Sequence, residues 1–567
     1  MGDDGGANGV SWDEAVTQVL GPGSRFEVGE TEVLGRATEV FTNAPPSLRE
    51  LFATLRDQDP DGVFCVYEDE RWTFSALADA IDALAAGLVD GLGVRPGDRV
   101  GIAMRNYPEW IVAFGAVVSV GAVAVCLNGW WVADELHYGL ADSGTTVLLA
   151  DSERAARAAD ACAELGVALV VARPAGDLPA GARTFDDVAV AGAALPQQAP
   201  GPDDDAMILY TSGTTGHPKG AVSTHRAVVH ALMAYSARAR VNALMAPPTA
   251  PHPFPTTFIL VVPLFHVTGL VPVMLGCVAS GARLVMQYRW DPERALELIE
   301  RERVTHFVGV PTMSWDLLEC EAFATTDTSS LVSVGGGGAP APPELVRRVE
   351  DSFANGRPGI GYGMTETNAY GPQNAADDYL RKPRSSGRVL PVMEVVVRDD
   401  DGRDLPPGEV GEIWFAGANL FRGYWGRPEA TAEALVDGWL RTGDIGRIDD
   451  EGFVFVEDRA KDMVLRGGEN VYCAEVEAVI YEHPAVHEAA VFGIPHERLG
   501  EEVAVVVLPR TGQLLDPADL QAHVAAHLAP FKVPSRVVVA TEPLPRGATG
   551  KILKRELRDR LADDAAH

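Results

Sequence analysis

Residues 206–220 read AMILYTSGTTGHPKG, and the order of residue types in this stretch decides the fold. The apolar run 206–209 is short and uninterrupted, as in a strand buried on both faces of a sheet. It runs directly into Thr211, Ser212, Gly213, Thr214, Thr215 and Gly216, then His217, Pro218, Lys219 and Gly220. Glycines let backbone N–H groups turn toward an anion, hydroxyls add donors, and Lys219 adds a charge. A strand feeding such a loop is built to hold a polyphosphate. It is not the common P-loop, in which Ser or Thr follows the lysine; here Gly220 follows it and Pro218 precedes it.

Around this stretch, strand-like runs at 146–150, 167–171 and 283–286 alternate with Ala-rich helical runs. That alternation predicts parallel sheets covered by helices. Phe74, Leu77, Ile81, Leu84 and Leu88 recur at helical spacing behind Thr73, a plausible N-cap. Residues 110–127 are apolar almost throughout and long enough to span a membrane, yet their Ala/Val content and lack of a basic flank read as a buried helix followed by a buried strand. From about residue 395 short alternating strands with acidic turns predict an antiparallel, barrel-like unit. The last hundred or so residues mix both element types. The expected fold class is therefore α/β: parallel sheets covered by helices, an antiparallel barrel-like unit, and then a compact α+β unit, with 1–45 a loosely structured arm. The prolines at 247, 248, 251, 253 and 255 mark a loop.

At 567 residues the chain exceeds one ordinary domain, and 47% hydrophobic residues supply a substantial core. A net charge of −33 argues against nucleic acid and against docking on anionic membranes. Six scattered cysteines without a C-x-x-C pair indicate free thiols and no zinc site. The N-terminus lacks a basic and an apolar signal segment, so a cytoplasmic protein is expected. No integral membrane segment is expected, and a homodimer is one assembly the sequence leaves open.

Further distinctive segments follow along the chain. They are PLFHVTG at 263–269, GGGAP at 336–340, GYGMTET at 361–367, WLRTGD at 439–444, DRAKD at 458–462 with RGGEN at 466–470, and PRGATGK at 545–551. Together, in this order and across nearly the whole chain, they resemble the adenylate-forming superfamily, in its branch of acyl-CoA synthetases and fatty-acid–CoA ligases. The resemblance implies an ATP-dependent acid–thiol ligase using Mg²⁺ and coenzyme A.

It also implies residue roles. Gly338, Ala339 and Pro340 would form the adenine turn, with Tyr362 stacking on the base beside Gly363. Thr365 would donate to the α-phosphate, and Glu366 is the hard oxygen ligand expected for Mg²⁺. Asp444 would accept the ribose hydroxyls and Arg459 would donate nearby. Lys551 would reach the reacting carboxylate and phosphate, where a positioned ammonium stabilises developing charge. The resemblance implies two parallel-sheet subdomains and a barrel-like subdomain over 1–458 and a small mobile α+β domain over 459–567, with Lys461 at the hinge position; Gly467 and Gly468 would line the pantetheine tunnel. Cys473 stands where proline is common and would make the site sensitive to thiol reagents. His266 occupies the acyl gate; as an aromatic-like wall it suits an uncharged acyl group. PLFHVTG carries no acid to pair an amino group, which disfavours amino acids. The glycines at 335–338 leave room for a long tail. The expected substrate is a medium- or long-chain fatty acid or another bulky hydrophobic acid. The alternatives are an acyl-AMP ligase that loads a carrier protein, or a non-catalytic nucleotide- or acyl-binding protein.

Overall fold

Two eight-stranded sheets form the body of the computed structural model, which describes residues 10–211, 218–246, 252–459, 462–466, 469–496, 498–548 and 550–566. The first sheet runs Gly423–Tyr424, Lys219–Thr224, Asp205–Thr211, Val123–Cys126, Arg99–Ala103, Val147–Asp151, Ala168–Ala172, Arg183–Thr184. Its central strands pair in parallel, whereas Lys219–Thr224 is antiparallel to both its neighbours. The second runs Gln373–Ala375, Arg357–Gly361, Ser333–Gly337, His306–Gly309, Thr257–Leu260, Arg283–Met286, Val63–Tyr67, Glu70–Thr73, parallel except at its two edges. Parallel strands need crossovers and are buried on both faces, which is why Val123–Cys126 and Val147–Asp151 at the centre of the first sheet are buried along their whole length.

The apolar window 110–127 is the helix Pro108–Ser119, turning through Gly121 at φ +74° into the strand Val123–Cys126. Every residue from 110 to 127 is buried, and Trp110 stacks on Phe114 at 5.5 Å. No helix among the described residues is long and apolar enough to cross a membrane. Thr73 caps its helix as the sequence suggests, accepting from the Ala76 N–H at 3.1 Å.

The acidic-turn region forms a five-stranded antiparallel sheet, Met393–Arg398, Gly411–Gly417, Trp439–Ile448 and Leu435–Val436, with Val454–Arg459 also on Trp439–Ile448. The C-terminal residues build a further five-stranded sheet around the hairpin Val486–His496 and Gly500–Pro509. Its apolar clusters are separate from the main core.

The reading of the N-terminal stretch as a loose arm needs correction from residue 10 onward. Trp12–Leu20 is a helix closed by a capping box between Ser11 and Glu14. Trp12 lies between the guanidinium groups of Arg238 and Arg388, at 4.4 and 4.3 Å. A hairpin, Val28–Val33 with Arg36–Phe41, follows. Of the proline-marked loop, 247–251 fall outside the described residues; the helix His225–Met245 ends before it and Thr257–Leu260 begins after it.

Candidate active site

Four of the motifs begin at the carboxyl ends of sheet strands, the edge at which open α/β sheets gather ligands. Asp205–Thr211 leads into the phosphate loop and Thr257–Leu260 into 263–269. Ser333–Gly337 leads into Gly338–Ala339–Pro340, and Arg357–Gly361 into Tyr362. Gly338 holds φ +77°, a left-handed conformation open to glycine at no steric penalty. Gly363 is required by close approach instead: a Cβ there would lie 2.3 Å from the Ala369 carbonyl oxygen.

Tyr362 donates its hydroxyl to Asp444 Oδ2 at 2.5 Å, and Arg459 Nε stands 3.2 Å from Asp444 Oδ1. Asp444 is buried, so two donors aim at one desolvated carboxylate. Burial and the Asp444 charge hold the Tyr362 hydroxyl well above its usual range, so it stays a donor. Asp444 and Arg459 face each other on adjacent strands in register.

Thr365 and Glu366 lie in the short turn Thr365–Thr367. Glu366 is buried, and desolvation raises its pKa while a hydrogen bond from Tyr424 Oη, 2.6 Å from Oε1, opposes that rise. Lys219 opens its strand, and its Nζ lies 5.1 Å above the Tyr424 ring. Thr211 hydroxyl faces the Lys219 carbonyl at 3.4 Å.

His266 Nδ1 accepts from the Thr268 backbone N–H at 3.3 Å, which leaves the proton of the neutral ring on Nε2. Burial, with the nearby Lys551 charge second, pushes its pKa down to about 4. The ring is therefore neutral at pH 7, as suits a gate wall.

Lys551 sits in a turn fixed by the Gly547 N–H to Lys551 O and Gly550 N–H to Gly547 O bonds, both 2.9 Å. Gly550, at φ +80°, docks against Val310 and Met313, where the helix Pro311–Glu319 begins. Lys551 keeps much of its surface exposed, yet protein atoms crowd its ammonium. That desolvation, together with the Arg459 charge, lowers its pKa to about 8. Tyr362, Asp444 and Arg459 are in contact, Lys551 lies within reach of the Arg459 and Asp444 charges, and His266 within reach of Lys551, while Glu366 and Lys219 are joined through Tyr424.

Ser212, Gly213, Thr214, Thr215, Gly216, Lys461, Gly467 and Gly468 lie outside the described residues. Cys473 corrects an expectation. It is fully buried, its thiol is pushed far up by desolvation, and its Sγ faces the Asp462 carbonyl at 3.0 Å, so it is shielded from thiol reagents. Its backbone N–H, which proline would lack, donates to the buried Asp458 carboxylate.

Sequence reasoning missed Tyr424, whose partners lie 58 and 205 positions earlier in the chain. It also missed Glu319, at the end of Pro311–Glu319, which pairs with His487 at 2.9 Å and with Arg510 in the C-terminal region.

The AMP-binding enzyme family matches residues 52–425, and the AMP-binding enzyme C-terminal domain family matches residues 475–551. A feruloyl-CoA synthase from an Amycolatopsis species is 37% identical over 86% of this chain and 94% of its own length. The long-chain-fatty-acid–CoA ligase FadD13 of Mycobacterium tuberculosis is 35% identical over 87% and 94%. Among solved structures, ATP-bound MatB from Rhodopseudomonas palustris superposes with a TM-score of 0.80 at 31% identity, covering 91% of this chain and 99% of that one. The chain therefore belongs to the AMP-binding enzyme family, in the acyl-CoA synthetase group of adenylate-forming enzymes, and is an AMP-forming acid–thiol ligase.

Proposed function

We propose that this protein activates a bulky hydrophobic carboxylic acid with ATP and passes the acyl group to coenzyme A. The observation that carries the reading is the cluster of Lys551, Arg459, Asp444, Tyr362 and His266, side chains from five separate motifs brought within contact or electrostatic reach of one another. In this scheme Asp444 accepts from the ribose hydroxyls, with Arg459 beside it. The acid's carboxylate oxygen attacks the α-phosphorus and pyrophosphate leaves. Lys551 and Thr365 donate to the oxygens on which negative charge gathers, a contribution of about a hundred- to a thousand-fold in rate for one such donor. His266 walls the acyl side and takes no proton, since a carboxylate is already ionised at neutral pH.

Mg²⁺ fits the residues present. Glu366 is a buried carboxylate with Tyr424 Oη on its Oε1. Mg²⁺ is usually held this way, by one or two carboxylates plus substrate phosphates. Bound there, it would neutralise charge on the phosphates. Gly467 and Gly468 are proposed to line the thiol arm's path, and Lys461 to be the hinge between residues 1–458 and 459–567. The protein is proposed to work in the cytoplasm.

The acid class is read from the glycines at 335–338. A Cβ added at Gly335, Gly336 or Gly359 would find its nearest neighbour at 3.6, 3.4 and 3.7 Å, so the protein's own packing does not demand glycine there. A backbone bare of side chains beside the adenine turn supports a long or bulky acyl group, a medium- or long-chain fatty acid foremost. The test is pyrophosphate release over a panel from acetate through decanoate and palmitate to ferulate. A preference for the long or bulky acids is expected; faster turnover of acetate or propionate would overturn the assignment.

A further inference from the structure

We propose that Tyr424 is a positioning residue for the metal–nucleotide complex, holding the Glu366 carboxylate and the Lys219 ammonium in fixed relation across the phosphate site. The inference rests on the reading of Glu366 as the metal ligand and Lys219 as a phosphate-binding cation.

The segment Phe421–Trp425 braces both residues at once. Gly423–Tyr424 pairs with the strand that Lys219 opens, Tyr424 opposite Ala221 and Gly423 opposite Val222. Backbone bonds from Arg422 N–H to Val222 O and from Trp425 N–H to Gly220 O, both 2.8 Å, extend that pairing to the residue after Lys219. On its other side Phe421 N–H donates to the Glu366 carbonyl at 2.8 Å. The main chain therefore registers Glu366 against Lys219 before any side chain is considered.

The Tyr424 side chain completes the link. Its hydroxyl donates to Glu366 Oε1 at 2.6 Å, and its ring lies beneath Lys219 Nζ at 5.1 Å. The ring is fixed in turn: Phe421 meets it edge-on at 5.0 Å, and the Tyr424 N–H donates to Thr431 Oγ1 at 2.9 Å. A donor fixed on one carboxylate oxygen sets the rotation of the carboxylate and leaves the other oxygen to face a cation. Removing such an outer hydrogen bond commonly weakens metal binding about ten- to a hundred-fold. The ring face adds a cation–π contact that holds Lys219 extended.

The test is a Mn²⁺ titration followed by electron paramagnetic resonance, with an ATP analogue whose α,β bond cannot be cleaved, on the full chain. Tyr424→Phe removes the hydroxyl and keeps the ring. It should weaken Mn²⁺–nucleotide binding about tenfold and lower the melting temperature modestly, as loss of a donor to a buried carboxylate does, while leaving the affinity for metal-free AMP unchanged. Tyr424→Leu should additionally weaken binding of the metal-free analogue, because Lys219 loses its ring. A loss of metal-free AMP affinity as large as the loss of metal–nucleotide affinity in Tyr424→Phe would mean a merely structural tyrosine and overturn the proposal. Glu366→Gln serves as the reference. If it weakens Mn²⁺ binding and Tyr424→Phe does not, the positioning role alone fails. If Glu366→Gln also has no effect, the metal-ligand reading fails, and the positioning role with it.

Discussion

Between pH 7 and pH 9 the ammonium of Lys551 should lose most of its charge, and adenylation should fall with it. Crowding at the ammonium and the neighbouring Arg459 charge lower its pKa to about 8. A lysine with a lowered pKa is charged below that value and neutral above it, so the loss falls on the alkaline side. With a pKa of about 8 the charged fraction is about 0.9 at pH 7 and about 0.1 at pH 9. If only the charged form stabilises the transition state, kcat/KM for ATP drops about tenfold across that interval. Neighbouring groups do not titrate there: His266 is at about 4, and Tyr362, Arg459 and Lys554 are all shifted upward. The assay is pyrophosphate release without coenzyme A, so that thiol ionisation plays no part. kcat/KM reports the free enzyme, whereas bound phosphates would raise the lysine's pKa in the complex. Lys551→Arg keeps its charge throughout and should flatten the alkaline limb, at a lower absolute rate because the planar fork does not reproduce the ammonium. A wild-type profile flat past pH 9, or the same limb in Lys551→Arg, would refute the reasoning.

Gly363→Ala places a Cβ 2.3 Å from a backbone oxygen that cannot swing aside, so it should destabilise the fold by about 1–3 kcal/mol and raise KM for ATP, read by urea titration and steady-state kinetics. Cys473→Pro suits the first turn of its helix but deletes the N–H donated to buried Asp458. A net loss of about 1 kcal/mol is expected, since a bond to a charged group outweighs the gain from proline, and urea titration would detect it. His487 gains Glu319 as a partner, which raises its folded pKa. The stabilisation is fully present below the unfolded value near 6.5 and is lost as pH rises through the raised folded one. Docking of the C-terminal region on Pro311–Glu319 should therefore loosen from pH 6 to pH 8.5, seen as faster proteolysis around residue 462, and Glu319→Gln should remove the pH dependence.

The layout of the site was legible because its chemistry is local in sequence. A glycine-rich loop after an apolar run, or Tyr362 beside Glu366, needs only neighbours along the chain to be recognised. The strand Arg283–Met286 was placed to the residue for the same reason. What escaped depends on contacts between distant segments. Tyr424 sits in an unremarkable Gly-Tyr-Trp-Gly stretch, and only strand pairing brings it to Glu366 and Lys219. Cys473 read as reactive because burial is not written in its flanking residues. The helix Trp12–Leu20 did carry a local signal, Ser11 and Glu14 at capping-box spacing, but glycines before and after it masked the helix.

The most direct test of the whole account is acyl-CoA and AMP formation from ATP, coenzyme A and a long-chain acid, compared in the wild type and Lys551→Ala. The account predicts coenzyme-A-dependent turnover that falls about a hundred- to a thousand-fold in the variant, while synthetic acyl-AMP supplied directly is still converted to thioester. Adenylate formation indifferent to coenzyme A, or a variant as fast as the wild type, would contradict it.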